Sequence, residues 1–314
     1  MPAAPFDAPA LTLWPALALL TACCETARDI ATRSLLRRSG WSAGLVMGLS
    51  CLISALLTLP LLLLAPQTPD LVKLLVALAA SGLVNSVAFW AYGRALARGD
   101  LSLVLPLINL SPLVLLFSGW WLLGERPSPG SSVGVALLVL GSLLLARGAE
   151  PGVRLLQSPG ARPMLLVAVL WGVAATFDKV GVQASGSLTW VALFNLVVAA
   201  GLLTPAWLQS GRKQGSVDPV AGAAGQPVGP QRLLLLCGLL LLCGLVGAVG
   251  MVSQMEALRS TAVVHVIAIK RLSTLFSAVV GVVWLGETRA GLRLPGASLM
   301  LAGAVSLLAT AGGW

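Results

Sequence analysis

Residues 262 to 284 form an almost unbroken apolar run with Lys270 and Arg271 set inside it. As a helix rising about 1.5 Å per residue it reaches roughly 35 Å, enough for a hydrocarbon core of about 30 Å. A run of this kind commits a chain to a membrane, where only helices and closed barrels satisfy their own backbone hydrogen bonds. Each of the two cations costs at least about 2.5 kcal/mol there on insertion scales, so both must face a partner, a cavity or a ligand.

Composition points the same way. Of 314 residues 57% are hydrophobic and 10% charged, against about 25% charged in ordinary soluble domains. The net charge of +9 comes from 20 Lys and Arg spread over short connections rather than gathered on one face, which reads as membrane topology and not as a nucleic-acid surface. Cys23, Cys24, Cys51, Cys237 and Cys243 all lie in apolar runs without C-x-x-C spacing and read as small packing residues. The N-terminal segment MPAAPFDAPA lacks the charged n-region of a signal peptide, so the first apolar run is expected to remain as a helix.

Apolar length and Gly, Pro and charge punctuation place ten spanning helices near 12 to 36, 43 to 65, 71 to 97, 101 to 122, 131 to 147, 163 to 184, 188 to 208, 231 to 257, 261 to 285 and 293 to 311. Trp14, Trp41, Trp121, Trp190, Trp207, Trp284 and Trp314 fall near these ends, where amphipathic rings prefer the interface. The long connection from 209 to 231 is rich in Gly, Pro, Ala and Gln and reads as a flexible loop.

The chain repeats itself. A shift of 162 residues, without gaps, lays Ala95-Leu96 on Ala257-Leu258, Ser111 on Ser273, Gly119 on Gly281, Leu123-Gly124-Glu125 on Leu285-Gly286-Glu287, Gly134 on Gly296 and Gly141 on Gly303. A shift of 146 lays Ser39-Gly40 on Ser185-Gly186, Leu56-Leu57-Thr58 on Leu202-Leu203-Thr204 and Arg33 on Lys179. Each repeat, 1–150 and 151–314, then holds five helices, and an odd number makes the second enter the membrane from the opposite side. The expected fold is an all-α integral membrane protein of ten transmembrane helices in two inverted five-helix repeats, with a binding site between them. Pro106 and Pro112 predict a bend in the fourth helix, tolerated where backbone is buried in protein or faces water.

Two five-helix repeats, each with Ala-Leu closing the third helix and Leu-Gly-Glu closing the fourth, resemble the EamA-type transporters of the drug/metabolite transporter superfamily. The resemblance covers nearly the whole chain. It implies a carrier for small metabolites, often an exporter of amino acids or related compounds, with cytoplasmic termini. Charge counting implies the opposite side. Connections after odd-numbered helices hold Arg33, Arg37, Arg38, Arg94, Arg98, Arg147, Arg154, Arg162, Arg212, Lys213, Arg232, Arg289 and Arg293, whereas the termini and remaining connections hold only Lys73, Arg126 and Arg259. The positive-inside rule places the larger set in the cytoplasm and the termini outside.

Within the spans, Glu25, Arg28, Asp29 and Thr32 share one helical face at i, i+3, i+4 and i+7. Arg28 neutralises one carboxylate and leaves the other, the kind of group with which a carrier binds and releases a proton; the same set also reads as a self-neutralised cluster holding helices together. Glu25 followed eight residues later by Arg33 is similar to the small multidrug resistance branch, where that Glu binds protons and cationic drugs in competition. The second repeat departs from it, with Trp171 where the first has Glu25. Asp178 and Lys179 close the sixth helix, with Lys179 expected to pair or to snorkel. Arg94 and Glu256 are mates under the 162 shift, as are Tyr92 and Gln254, and the charge complement reads as a pin or gate.

Lys270 and Arg271 are the strongest binding candidates, because their mates Ile108 and Asn109 carry no charge. The adjacent pair resembles the one that grips phosphate in the organophosphate translocator branch, where guanidinium and ammonium donors suit an anion. The rest of that branch's pattern is missing, so the implication is an anionic or carboxylate-bearing metabolite. Pairing of both cations with Glu25 or Asp29 is the structural alternative. His265 reads as a hydrogen-bonded helix residue.

Gly40-Trp41-Ser42-Ala43-Gly44 fits G-x-S-x-G but lies between membrane helices with no His nearby in sequence. Asn109-Leu110-Ser111 is a sequon inside a span, and Gly44 to Gly48 and Gly130 to Gly134 read as close helix packing or dimer contacts. The reading is a secondary transporter of a bacterial inner or plasma membrane, not an enzyme, without cofactor or metal. Its partners are a small anionic or zwitterionic substrate, protons as a coupling ion, lipid, and no nucleic acid, as monomer or homodimer. Glu25, Asp29, Tyr92, Asn109, Gln254, Lys270 and Arg271 are the candidate binding residues, and Arg28, Arg94, Asp178, Lys179 and Glu256 the structural or coupling ones. A proton-coupled pump for cationic drugs using Glu25 and a non-transporting scaffold are the alternatives.

Overall fold

Helix ends coincide with the stop signals of the sequence. α1 (Trp14–Ser39) has Pro15 in its first turn and ends on Gly40 at φ +70°, with Arg37 and Arg38 facing the negative end of the helix dipole. The Ser42 side chain accepts from Leu45 N at 3.3 Å to start α2 (Ala43–Thr58), so the serine of the G-x-S-x-G string is a helix cap. A 3-10 turn, Leu59–Leu64, continues α2. Asp70 caps α3 (Leu71–Arg98) by accepting from Lys73 N at 3.2 Å.

The computed structural model describes residues 13–64, 68–99, 101–149, 157–210, 229–285 and 290–310. The centre of the expected loop at 209 to 231, Gly286-Glu287, Trp314, Arg154, Arg212 and Lys213 lie outside the described residues. Among those described, the remaining elements are α4 (Leu101–Ile108), α5 (Ser111–Leu123), α6 (Pro129–Ala149), α7 (Ala161–Ser185), α8 (Ser187–Ser210), α9 (Pro230–Ser260), α10 (Val263–Lys270), α11 (Ser273–Leu285) and α12 (Ala290–Thr310), with no strand.

The fourth and ninth expected helices are each broken in two. In the fourth, Pro106 and Pro112 lack N–H groups, and the chain turns through i→i−3 bonds from Asn109 N to Pro106 O (3.3 Å) and Leu110 N to Leu107 O (3.2 Å). The ninth has no proline there, yet Arg271 N reaches Ala268 O (3.1 Å) and Leu272 N reaches Ile269 O (2.9 Å), the same turn 162 residues later. Under that shift α4 and α5 map onto α10 and α11 residue for residue.

Among the described residues, seven stretches are long and apolar enough to cross a membrane: Ala43–Leu63, Leu71–Arg98, Val104–Leu123, Pro129–Ala146, Ala161–Ser185, Ser187–Pro205 and Pro230–Ser260. α1 has the length but carries Glu25, Arg28 and Asp29 at its centre. Leu294–Thr310 is apolar but shorter.

Contacts between the halves come in exchanged pairs. α1 packs on α9 as α7 packs on α3, and α2 lies on its own mate α8. Asp178 of α7 accepts a hydrogen bond from Ser81 of α3, while their mates Thr32 and Cys243 meet at 3.5 Å. α6 and α12 pack glycine on glycine. A Cβ built on Gly134 would lie 3.0 Å from Gly303 O, and one on Gly141 only 2.6 Å from Gly296 O. Since Gly134 is the mate of Gly296 and Gly141 of Gly303, each helix offers the same patch to the other in antiparallel register, as at a twofold interface. Gly130 lies in the same contact against Thr310, and Gly48 is covered by Leu203, so both G-x-x-x-G strings serve helix packing within the chain.

The tryptophans depart in part from an interfacial belt. Trp121 is 72% exposed, but Trp190 is fully buried, its ring filling the slot left by Gly181, and Trp14 is buried and stacked on His265 at 6.0 Å. Close packing took precedence over the interface at these two positions. The five cysteines are free thiols.

Gly141→Leu is expected to lower unfolding stability by at least about 1–3 kcal/mol, because its side chain meets backbone atoms that cannot rotate away. Gly238→Ala, which has nothing within 4 Å of the added carbon, is expected to be neutral or to gain up to about 1 kcal/mol. Thermal unfolding of the detergent-solubilised protein compares the two.

Candidate functional site

The two breaks face each other. Asn109 donates its amide to Thr274 Oγ1 at 2.9 Å, and Arg271 Nε donates to Ser111 Oγ at 3.1 Å. Residues at one break therefore hold residues just past the other. Asn109 and Ser111 are fully buried, and Arg271 and Thr274 nearly so. The same turn that interrupts α10 sets Lys270 and Arg271 against a cleft enclosing about 600 Å³, counted to its open mouth, between α1, α3, α7, α8, α9 and α10.

Glu25 is the hub of the charged wall. Its Oε1 accepts from Arg28 Nη2 at 2.7 Å and lies 3.2 Å from Lys270 Nζ. Lys270 donates a second bond to Gln254 Oε1 at 2.7 Å. Both cations beside the break lie near the ring of Trp171, Lys270 Nζ at 5.8 Å and the Arg271 guanidinium carbon at 5.7 Å from its centroid. Phe89 and Tyr92 pack on Trp171 at 5.4 and 5.1 Å, and Arg28 lies 5.7 Å above Phe89. Charged and aromatic groups thus adjoin along the lining.

Arg271 keeps donors in reserve. A guanidinium carries five N–H donors, and among the described residues only Ser111 accepts one from Arg271. Arg271 is among the residues that line the cleft.

Asp178 enters the same cleft from α7, hydrogen-bonded by the Ser81 hydroxyl, with no cation within salt-bridge distance among the described residues. Asn85 of α3 donates to Ser81 Oγ at 2.9 Å. Asp29 accepts from the Tyr92 hydroxyl behind the wall, and neither residue lines the cleft.

The other candidates lie apart from it. Lys179 pairs with Glu125 at 2.6 Å and donates to Thr261 O at 2.9 Å, so of the two expected roles it takes pairing. Glu125 Oε2 also accepts from Val263 N at 3.1 Å, capping the start of α10. The Leu-Gly-Glu string of the first repeat thereby acquires a physical role. Gly124 at φ +69° closes α5, its N–H reaching Trp120 O and that of Glu125 reaching Gly119 O, and Glu125 then ties α5 to α7 and α10. Glu256 is held by Ser187 and by Arg259 at 3.2 Å, and Arg94 lies 4.7 Å above Trp90. His265 is buried between Ser131 (3.0 Å) and Thr261 (3.3 Å).

The structure thus gathers Glu25, Arg28, Gln254, Lys270, Arg271 and Asp178 at the cleft and sets Asp29, Tyr92 and Asn109 immediately behind it. Ser81, Asn85, Phe89 and Phe194 were not foreseen, because a short polar or aromatic residue in an apolar helix carries no signal until its neighbours are known. The break at Arg271 could have been found by carrying the proline-marked turn at Asn109 across the 162 shift. No group of three His, Cys, Asp or Glu among the described residues could hold a metal.

Removing one partner of the Glu125–Lys179 pair leaves a mostly buried charge uncompensated, so Lys179→Met is expected to cost about 3–5 kcal/mol. The double change Glu125→Gln with Lys179→Met is expected to cost less than Lys179→Met alone. Unfolding midpoints of the singles and the double check the coupling.

A model of the EamA-like transporter family matches residues 12–147 and again 159–309. A curated relative from Sinorhizobium sp, the "uncharacterized transporter in cobO 3'region", is 42% identical over 69 residues, which is 22% of this chain and 49% of the relative. The chain therefore spans about half the length of that relative. One protein solved by crystallography superimposes at TM-score 0.70 over 98% of this chain and 99% of its own, at 18% identity, a likeness of fold. With both halves matched, the chain belongs to the EamA-like transporter family and is an integral, multi-pass membrane protein.

Proposed function

We propose that this chain is a secondary transporter that moves a small anionic or zwitterionic metabolite by alternating access between two inverted five-helix repeats, 1–150 and 151–314, ten spans in all. The exchanged glycine contacts of α6 and α12 and the matched breaks support the inversion. The observation that carries the ligand class is the unused donor set of Arg271 beside Lys270 at the open cleft. A carboxylate or phosphate oxygen suits those donors, with Trp171 flanking the apolar part of the ligand. A lipophilic cation is less well served. Glu25, the group that would bind it, is already bridged by Arg28 and Lys270.

Flux into liposomes holding the purified protein tests this, with amino acids, sugar phosphates and lipophilic cations offered separately. Carboxylate- or phosphate-bearing members are expected to move. Lys270→Ala and Arg271→Ala are each expected to reduce that flux by about 10- to 100-fold, the loss of one charge-assisted hydrogen bond of about 1.5–3 kcal/mol. Movement of lipophilic cations alone, or of no member, overturns the assignment.

A further inference from the structure

We propose that Asp178, with Ser81 and Asn85, is the proton-binding site of the central cleft, a role the sequence assigns more readily to Glu25. Three buried carboxylates stand near the cleft, and their partners differ. Glu25 is committed to two cations at 2.7 and 3.2 Å. Asp29 is held by Tyr92 and does not line the cleft. Asp178 is 6% exposed, lines the cleft, and has a hydroxyl as its partner.

That partner suits a group that changes protonation. A serine hydroxyl has one donor and two acceptor positions, so Ser81 can donate to a carboxylate or accept from a carboxylic acid. Asn85 holds Ser81 in place, donating to its Oγ and to its carbonyl oxygen, each at 2.9 Å. In the other repeat the equivalent contact is Thr32 with Cys243, so the helix packing exists without ionisable carboxyl chemistry and the acid is an addition to it.

Charge economy links this site to the anion seat, and this part rests on the transport reading. The cleft is lined by three cations, Arg28, Lys270 and Arg271, and two carboxylates, Glu25 and Asp178. A monoanion arriving at Arg271 while a proton arrives at Asp178 leaves the summed charge unchanged, the least costly loading in low dielectric. Asp178 is hydrogen-bonded by Ser81 of α3 and shares the cleft with Asn85 from α3, Lys270 and Arg271 at the end of α10, Gln254 from α9, and Cys24, Glu25 and Arg28 from α1. Among the described lining residues, α4 and α5 supply none and α8 supplies only Phe194.

Proton binding is measured without any substrate. Infrared spectra of the full chain in lipid, recorded across pH, are expected to show a protonated-carboxyl band that titrates in the wild type, is lost in Asp178→Asn and persists in Glu25→Gln and Asp29→Asn. Persistence of that band in Asp178→Asn overturns the proposal. Should Asp178→Asn fail to fold, Ser81→Ala decides: a moved midpoint supports the site, and an unmoved one overturns it. For coupling, the readout is the ratio of flux with an imposed pH gradient to flux without one, using whichever amino acid or sugar phosphate the wild type moves. The ratio is expected to fall to one in Asp178→Asn, and an unchanged ratio overturns the link. If no panel member moves in the wild type, the transport reading fails while the infrared result still decides proton binding.

Discussion

A helix in hydrocarbon must satisfy its own backbone hydrogen bonds, and the two places where this chain relaxes that rule organise its interior. At Asn109-Leu110 and again at Arg271-Leu272 the regular ladder gives way to i→i−3 turns. Polar side chains then collect there. Thr26 of α1 donates to Ser273 O at 3.1 Å, Ser142 of α6 to Pro106 O at 3.4 Å, and Asn109 and Arg271 cross to the opposite break. A polar cluster once assembled for the backbone is also where a charged side chain can be buried at tolerable cost.

The charged groups obey the same economy. Glu25 is met by two cations, Lys179 by Glu125, and Asp29 and Asp178 by hydroxyl donors, so no carboxylate among these is left without a hydrogen-bond donor. Arg271 shows surplus rather than deficit: its donors outnumber the acceptors that the described residues offer it. Surplus donors beside an open cleft are tolerable because water or a ligand reaches them, and that makes the position suited to exchange of one for the other.

Much of this was legible in the sequence. Hydropathy located the helices, and the ungapped 162 shift laid the fourth expected helix on the ninth, the stretches that fold as α4–α5 and α10–α11. Lys270 and Arg271 stood out because their mates Ile108 and Asn109 are uncharged. What stayed hidden depended on distance across the bundle. Nothing local marks Arg271 as a helix break, since the prolines that mark the first break have no counterpart there. Glu125 read as scaffold because it belongs to the shared frame, and its grip on Lys179 and Val263 N joins residues 54 and 138 positions apart. Asp178 and Lys179 are neighbours in sequence, yet a turn of about 100° per residue sends one to the cleft and the other to Glu125.

The repeats share their skeleton and differ at positions in and around the cleft. Glu25 is matched by Trp171, Gln254 by Tyr92, and Lys270 and Arg271 by Ile108 and Asn109. The difference is direct at the cleft: Glu25, Lys270 and Gln254 form a charged, hydrogen-bonded set, and Trp171, the mate of Glu25, lies beside Lys270 with Tyr92 packed behind it. A symmetric pair of glutamates would offer one ligand two equivalent orientations. A charged set beside a single aromatic ring offers one, and the proposed ligand, with an anionic end and an apolar flank, suits it.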